Sequence, residues 1–336
     1  MNKENIMQKN TNFYGKSFLT LSDFTTEDIL YLVDLASELK LKKQNGIRGN
    51  LLEGLNIAMI FEKQSTRTRC ATSVAAWDEG ARTEYLGGKE IHFGAKESVK
   101  DSARVLGRMF DGIMYRGFGQ KIVETLSEFS GIPVWNGLTD ETHPTQAIAD
   151  LLTIKENFGK LTGLKVVYIG DGRNNVANSL MLASAMVGIN FVNCTPEELE
   201  PCDKILRAAK AVAKANGGSV QVIHEPMEAV KGANVVYTDV WVSMGEEAEK
   251  DHRIELLKPY QVNMPLMEAT GKLESNDVIF MHCLPAFHDH NTKVSETSGA
   301  LEVTDDVFEA DFSKVFDEAE NRMHTIKAIQ VATLTR

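Results

Sequence analysis

The chain has few of the residues that mark disulfide-rich, linker-rich or membrane-spanning proteins. It holds only 4 cysteines and 8 prolines in 336 residues. The cysteines form no Cys-x-x-Cys pair and show no zinc-site spacing, which favours reduced thiols in the cytoplasm. The low proline content argues against long low-complexity linkers. No apolar run approaches the roughly 20 residues that cross a bilayer, so we expect no membrane segment.

The chain also lacks an excess of positive charge. Its 36 basic and 47 acidic side chains give a net charge of -11, which excludes an overall field that attracts nucleic acid or anionic membranes. An anionic substrate would therefore need a local basic pocket. The polar opening stretch, residues 1–12, has neither the apolar core of a secretory signal nor the Arg-rich pattern of a transit peptide. We therefore expect a cytoplasmic location.

The sequence does contain a regular alternation of short apolar runs and helical patterns. Apolar runs between Leu55 and Trp135 alternate with helical segments, and a second such series extends from Lys165 to Met281. This alternation predicts βαβ units and an α/β fold of two tandem domains, each a parallel sheet flanked by helices. The predicted domains are residues 1–150 and 151–316. Residues 317–336 are predicted to form a C-terminal helix that returns to the first domain.

The segment Ser65-Thr66-Arg67-Thr68-Arg69 has the most specific chemistry. It follows an apolar run and opens a helical pattern. A helix N-terminus offers unpaired N–H groups and a positive dipole end, and the hydroxyl and guanidinium groups add donors for phosphate oxygens. A capping serine with a solvated first turn is the alternative. Arg67 and Arg69 favour the phosphate site, because the dipole disfavours cations there unless an anion is bound.

Two further motifs could serve acyl-type transfer. Pro144 is well placed to open a helix, and His143 and Gln146 near its start could donate to a carbonyl oxygen and polarise it. Cys283 follows a predicted strand, where open α/β sheets bind ligands, and a backbone carbonyl or the Cys283 thiolate could receive an amine proton there. Each also has a structural interpretation, as a satisfied histidine or a buried small thiol. Strand alternation predicts that His282 points away from Cys283.

A fourth segment follows the apolar run Val235 to Thr238. Here Asp239 and Ser243 offer a carboxylate and a hydroxyl that could hold an ammonium group. A turn-making aspartate is an equally acceptable interpretation of Asp239 taken alone.

Together these motifs resemble the signatures of the aspartate and ornithine carbamoyltransferases, in the same order. Asp239 with Ser243-Met244-Gly245 resembles a loop of the ornithine enzymes. The resemblance covers nearly the whole chain. It implies transfer of the carbamoyl group of carbamoyl phosphate to the δ-amine of L-ornithine, which gives L-citrulline and phosphate. It also implies a homotrimer with active sites shared between subunits, and no metal or organic cofactor.

The resemblance implies a role for each matching residue, and a cis peptide bond between Leu284 and Pro285. His92 stands where many bacterial relatives carry a glutamine that reaches in from a neighbouring subunit, and it can still donate to phosphate. The residues expected to bind carbamoyl phosphate are Ser65, Thr66, Arg67, Thr68, His92, Arg116, His143, Pro144, Thr145, Gln146, Cys283, Leu284 and Arg322. The catalytic residues among them are Arg116, His143, Gln146, Cys283 and Arg322. The residues expected to bind ornithine are Asn175, Asp239, Ser243 and Met244.

Three alternatives stay open at this point. A related enzyme could use putrescine, agmatine or an acylated ornithine as the acceptor. A dinucleotide-dependent oxidoreductase is suggested by Gly170-Asp171-Gly172, although the third glycine of that fingerprint is replaced by Asn175. A non-catalytic member of the family is the third. The sequence also leaves open whether the enzyme serves arginine synthesis or breakdown, and whether trimers assemble further.

Overall fold

A computed structural model describes residues 13–88, 96–242, 247–293, 295–296 and 298–336. The chain divides into two compact units. Unit 1 comprises Met1–Leu152 and Glu320–Arg336, and unit 2 comprises Thr153–Ala319. Both units contain a parallel sheet with helices, so the predicted α/β fold with two parallel sheets is confirmed.

The described strands of unit 1 form a four-stranded parallel sheet in the order β2-β1-β3-β4. The strands are β1 (Asn56–Phe61), β2 (Arg82–Gly87), β3 (Gly112–Arg116) and β4 (Val134–Leu138). The inner strands are buried along almost their whole length, as expected where helices cover both faces. The strand order reverses between β1 and β3, so the carboxyl ends of these two strands are the expected place for a ligand.

The first described α-helix of unit 1 begins at a side-chain cap. The Thr25 hydroxyl accepts from the Asp28 amide at 3.2 Å, and the Asp28 carboxylate accepts from the Thr25 amide at 3.1 Å. This reciprocal pair forms a capping box. The helices are α1 (Thr26–Gln44), α2 (Thr66–Asp78), α3 (Val99–Leu106), α4 (Gln120–Ser130) and α5 (Pro144–Phe158), with a 3-10 turn at Leu21–Asp23.

The described strands of unit 2 form a five-stranded parallel sheet in the order β7-β6-β5-β8-β9. The strands are β5 (Lys165–Ile169), β6 (Asn190–Cys194), β7 (Ser219–Ile223), β8 (Val235–Thr238) and β9 (Ile279–His282). The helices are α6 (Asn175–Met186), α7 (Asp203–Ala215), α8 (Pro226–Ala229), α9 (Lys250–Leu257), α10 (Met264–Glu268) and α11 (Asp305–Phe308), with 3-10 turns at Glu197–Leu199, Glu247–Glu249 and Lys258–Tyr260. A further helix, α12 (Val315–Leu334), begins in unit 2 and continues into unit 1. The order reverses between β5 and β8, which marks their carboxyl ends as the expected ligand position.

The last helix, α12, returns to unit 1 as predicted. From Glu320 onward it belongs to that unit. The Lys327 ammonium lies 2.6 Å from Asp78 Oδ2, and Trp135 Nε1 donates to Thr333 Oγ1 at 3.0 Å. Within the described ranges, the longest helices, this one included, carry too many polar side chains for any to span a membrane.

Candidate active site

Ser65 caps α2 at the carboxyl end of β1. Its Oγ accepts from the amide of Thr68 at 3.2 Å, so one of the unpaired donors of the first turn is satisfied within the helix. Thr68 is buried, Arg67 is half-buried and Thr66 is exposed. The first turn thus presents hydroxyl, guanidinium and amide donors at a helix N-terminus, a combination that suits a phosphate group.

Arg322, on α12, donates hydrogen bonds to one residue in each of two predicted motifs. Its Nη1 donates to Thr68 Oγ1 at 3.2 Å, and its Nη2 donates to Gln146 Oε1. The Gln146 amide in turn donates to Asp150 Oδ1 at 2.7 Å. Because the acceptor Gln146 Oε1 is used by Arg322 and its nitrogen by Asp150, the orientation of this amide is fixed. Arg322 therefore joins the start of α2 to the start of α5.

His143 is buried among positive charges. It precedes Pro144, which opens α5 as the sequence predicted, and its Nδ1 lies 3.4 Å from Thr145 Oγ1. Burial lowers the pKa of His143 well below 6.5, and the nearby Arg322, Arg116 and Arg67 lower it further. The ring is consequently neutral, and a neutral imidazole can still donate to a carbonyl oxygen.

Arg116 is the last residue of β3 and is only 7% exposed. Its Nη1 lies 3.5 Å from the carbonyl oxygen of Gly137 in the neighbouring strand β4. The cation is held at the strand end where the sheet order reverses. In unit 1 the structure thus brings together the predicted Thr68, Arg116, His143, Gln146 and Arg322.

Three side-chain contacts that we did not predict tie the loops of unit 1 together. The buried Lys63 lies 2.5 Å from Asp140 Oδ1, and its ammonium is 4.4 Å from the centre of the Phe118 ring. The carboxylate of Glu62 accepts a hydrogen bond from the Tyr115 hydroxyl. These contacts join the loops after β1, β3 and β4. No spacing in the sequence points to them, because the partners lie 77 and 53 residues apart.

In unit 2, Asp239 and Cys283 lie together at the ends of β8 and β9. The Cys283 thiol donates to Asp239 Oδ1 at 3.2 Å, and the Val240 amide donates to the same oxygen at 2.8 Å. Asp239 is only 8% exposed. Burial raises the pKa of its carboxyl group, while the hydrogen bonds from Cys283 and the Val240 amide oppose that rise. A buried carboxylate of this kind can bind an ammonium group.

The turn after β9 is held by His282. Its Nδ1 accepts from the Leu284 amide at 2.9 Å, so its Nε2 carries the proton that faces Glu302 Oε1 at 3.3 Å. The peptide bond between Leu284 and Pro285 is cis, as the resemblance implied. The prediction that His282 faces away from Cys283 is wrong, because β9 ends at His282 and ligand atoms of both residues lie within 4.8 Å of Asp239.

Asp239, His282 and Cys283 have the side chains of a metal site, but their hydrogen bonds argue for a different role. Both ring nitrogens of His282 are engaged, one with the Leu284 amide and one with Glu302. A metal ligand would have to give up one of these bonds. The cluster is better explained as a hydrogen-bonded network.

The remaining predicted residues are placed as follows. Ser65 is half-buried and precedes α2, Thr66 is the exposed first residue of α2, Thr145 is buried in α5, and Asn175 opens α6 and is half-buried. Leu284 has a φ of 59° in the turn that follows Cys283. Three predicted residues lie outside the described ranges: His92, Ser243 and Met244.

The dinucleotide alternative loses its support at the end of β5. The carboxylate of Asp171 accepts a hydrogen bond from the buried Arg253, and it also accepts from the Arg173 amide at 2.9 Å. A Cβ at Gly172 would lie 2.6 Å from the side-chain oxygen of Asn193. Gly172 therefore allows close packing of the turn, and Asp171 belongs to an internal ion pair.

Comparison with known proteins identifies the family. The model of the aspartate/ornithine carbamoyltransferase carbamoyl-P binding domain matches residues 16–156, and that of the Asp/Orn binding domain matches residues 162–333. The chain belongs to this family. The matches include the segments that supply Thr68, Arg116 and His143 in unit 1, and Asp239 and Cys283 in unit 2.

Individual members of the family are similar over nearly their full length. The ornithine carbamoyltransferase of Streptococcus equi subsp. zooepidemicus is 58% identical over 328 residues, covering 96% of each chain. A catabolic ornithine carbamoyltransferase of Bacillus licheniformis is 56% identical over 334 residues, covering 98% of this chain and 99% of the relative. The solved structure of ornithine carbamoyltransferase from Pyrococcus furiosus is 42% identical, with a TM-score of 0.88 over 96% of this chain and 97% of that one.

Proposed function

We propose that this chain transfers the carbamoyl group of carbamoyl phosphate to the δ-amine of L-ornithine, which yields L-citrulline and phosphate. The observation that carries this proposal is the buried cluster of unit 1, in which a neutral His143 lies near Arg67, Arg116 and Arg322. Carbamoyl phosphate joins a dianionic phosphate to a carbonyl that must be polarised. Its binding site therefore needs cationic side chains for the phosphate and a hydrogen-bond donor, such as a neutral imidazole, for the carbonyl oxygen. The relatives that share the family carry the name ornithine carbamoyltransferase.

In this proposal unit 1 is the carbamoyl phosphate-binding domain. Ser65, Thr66, Arg67 and Thr68 bind the phosphate at the start of α2, together with His92. Arg116, His143 and Gln146 address the carbamoyl group, while Arg322, which already orients Gln146 and Thr68, contacts the same group. Pro144 and Thr145 complete this side of the site by fixing the first turn of α5.

Unit 2 is proposed to bind the acceptor. Asp239, with Asn175, Ser243 and Met244, holds the α-amino and α-carboxylate ends of ornithine. Cys283 and Leu284 contact the reacting δ-amine of ornithine and the carbamoyl group of carbamoyl phosphate. The carboxylate of Asp239 supports this assignment, because a buried anion at a strand end is stabilised when an ammonium group pairs with it.

The reaction begins with attack by the neutral δ-amine on the carbonyl carbon. A new C–N bond forms, and the carbonyl becomes an oxyanion that Arg116 and His143 stabilise. Collapse of this tetrahedral intermediate breaks the bond from the carbon to the bridging phosphate oxygen, and phosphate leaves with that electron pair. The attacking amine loses one proton overall, and the departing phosphate takes it up. Arg67 and the N-terminus of α2 stabilise the departing phosphate.

A homotrimer with shared active sites is part of the proposal. Unit 1 has an open groove of about 530 Å³ beside α2 and β2, lined by Arg69, Cys70, Trp77 and Tyr85 among others. Trp77 is 60% exposed there, and the Arg69 guanidinium stacks 3.9 Å from the Tyr85 ring centre. Exposed aromatic side chains with arginine are typical of interface centres. The groove is lined in part by Thr83, Glu84 and Tyr85 of β2, the strand that comes shortly before His92 in the sequence.

The proposal of shared sites can be tested by mixing inactive subunits. His92→Ala and Arg116→Ala should each lose activity alone. If a site combines His92 of one subunit with Arg116 of another, mixed oligomers will contain some intact sites, and activity will return after the two variants are unfolded and refolded together. Mixtures that stay inactive, while wild-type protein regains activity in the same protocol, would refute shared sites.

A cytoplasmic location is proposed on chemical grounds. All four cysteines are free thiols, and Cys70 and Cys202 are exposed. Exposed thiols persist in a reducing compartment and tend to oxidise elsewhere.

The test of the main proposal is an assay with carbamoyl phosphate and one of three acceptors: ornithine, putrescine or aspartate. Ureido product and phosphate should form in equal amounts with ornithine and should be at background with the other two. Product with putrescine and none with ornithine would refute the assignment of the acceptor. Thr68→Val is assayed beside the wild-type protein. This substitution keeps the shape of the Thr68 side chain but removes the hydroxyl that Arg322 contacts.

A further inference from the structure

The side chain of Asn174 makes three hydrogen bonds within unit 2. Its Oδ1 accepts from the Ala177 amide at 2.7 Å, which caps α6. Its Nδ2 donates to the Tyr168 hydroxyl at 2.8 Å and to Asp239 Oδ2 at 3.3 Å. The contact with Ala177 fixes which end of the amide faces the helix, so the NH₂ group must face Tyr168 and Asp239.

Asn174 supplies the donor for one of the two Asp239 oxygens. Oδ1 of Asp239 already accepts from the Cys283 thiol and the Val240 amide, whereas Oδ2 faces Asn174. A carboxylate that is bonded at both oxygens has a fixed plane, so its remaining lone pairs point in a defined direction. Binding of an ammonium group depends on that direction, because a misplaced carboxylate loses the short contact.

Tyr168 anchors Asn174 from the other side. It lies on β5, is fully buried, and packs against Tyr237 of β8 with ring centres 6.0 Å apart. The chain Tyr168–Asn174–Asp239 therefore joins the ends of β5 and β8, the two strands between which the sheet order reverses. Hydrogen-bonded chains of this kind fix side-chain orientation when every member is satisfied.

We propose that Asn174 is a positioning residue for the acceptor amino acid, held by Tyr168 and directing the Asp239 carboxylate towards the substrate ammonium group. The inference rests on the proposed function, in which Asp239 binds ornithine. A capping role alone would not require asparagine, because aspartate caps helices equally well. The two roles therefore predict different results for one substitution.

The test is Asn174→Asp, which keeps the capping oxygen but replaces the NH₂ donor with a carboxylate that faces Asp239. We expect the KM for ornithine to rise at least about tenfold, the effect of losing a hydrogen bond to a charged group, while the KM for carbamoyl phosphate changes less than about twofold. The matched control is Asn178→Asp. It adds the same charge to α6, where the Asn178 side chain donates to the Arg173 carbonyl oxygen and does not contact Asp239.

Tyr168→Phe provides a second variant in case Asn174→Asp folds poorly. It removes only the hydroxyl that accepts from Asn174, and it should raise the KM for ornithine in the same direction. Melting temperatures of all variants should stay close to that of the wild type. Unchanged KM for ornithine in either folded variant would overturn the proposal.

Asp239→Asn separates this failure from failure of the proposed function. If Asp239→Asn raises the KM for ornithine and Asn174→Asp does not, Asp239 binds ornithine but Asn174 does not position it. If neither substitution changes the KM for ornithine, the role of Asp239 is itself wrong. A strong effect of both substitutions, with none for Asn178→Asp, supports the inference.

Discussion

The Arg322 guanidinium donates a hydrogen bond to the Thr68 hydroxyl, with 3.2 Å between Nη1 and Oγ1. The two residues are 254 positions apart in the sequence. The contact places a cation of the last helix at the first turn of α2, the proposed phosphate site. The second Arg322 bond, to Gln146, extends the link to α5.

Arg322→Lys should lower kcat/KM for carbamoyl phosphate by about 10- to 100-fold, the range expected when hydrogen bonds of about 1.5–3 kcal/mol to a charged group are lost. Lysine keeps the charge but cannot bond Thr68 and Gln146 with the fixed geometry of a guanidinium. Steady-state kinetics with varied carbamoyl phosphate is the measurement. Arg336→Lys, at the chain end where the arginine stacks on Tyr14, is the control. An Arg322→Lys enzyme within about threefold of wild type would contradict the assigned role.

Arg116→Ala should lower kcat at least about a hundredfold, because removing one oxyanion donor typically costs about 2.7–4 kcal/mol of transition-state stabilisation. The residue is buried at the end of β3, so water replaces the guanidinium poorly. Single-turnover measurements of phosphate release report on the chemical step directly. Arg104→Ala is the matched control, since Arg104 pairs with Asp101 on the exposed side of α3. Near-normal turnover in Arg116→Ala would remove the oxyanion role.

The strand-end positions of the motifs could be predicted from the sequence. Ser65 follows β1, Asp239 follows β8 and Cys283 follows β9, as the apolar runs indicated. This works because parallel strands are buried on both faces and therefore appear as short apolar runs, and their carboxyl ends share one edge of the sheet.

Element boundaries were less predictable where polar residues lie inside a buried strand. The apolar run that ends at Trp135 predicted that the strand stops there, yet β4 continues through Asn136 and Gly137. Asn136 is tolerated because its side-chain nitrogen donates to the Leu19 carbonyl oxygen and to Thr142 Oγ1, each at 3.0 Å. A buried polar group with partners costs little, and partners distant in sequence leave no local signal.

The same limit explains the residues that we did not predict. Asn174 stands next to the predicted Asn175, but only the fold shows that its amide reaches Tyr168 and Asp239. Glu302 lies outside every motif and is placed opposite His282 by the long turn after β9. Side-chain contacts among residues of three different strands, helices or loops cannot be derived from the residue spacing within one of them.

The pKa of His143 makes stability depend on pH. Burial and three arginines lower this pKa well below 6.5 in the folded chain, so below about pH 6.5 the unfolded chain binds a proton that the folded chain does not. Stability should therefore be lost as the pH falls through this range, by up to about 1.4 kcal/mol per pH unit for this group.

Urea unfolding of wild type and His143→Gln at about pH 7 and about pH 5.5 checks this dependence. The wild type should lose about 1 kcal/mol more than the variant between the two conditions. The comparison isolates His143, because all other titrating groups are common to both proteins. An equal loss in both proteins would mean that the His143 ring is charged, or can become charged, in the folded state.

Cys70 provides a test of the proposed subunit interface that does not depend on activity. Cys70 and Cys202 are both exposed in the single chain, while Cys194 and Cys283 are buried, and burial raises the pKa of Cys194 to about 12. Cys70 also lines the groove with Trp77, whereas Cys202 lies in unit 2 just before α7.

In the assembled protein, iodoacetamide should modify Cys202 much faster than Cys70. Trp77→Asp, which introduces a charge into the groove, should release subunits and expose Cys70. Mass spectrometry of the tryptic peptides measures both rates. Equal and rapid modification of Cys70 and Cys202 in the wild-type protein would mean that the groove stays open, so that a subunit contact, if there is one, uses a different face.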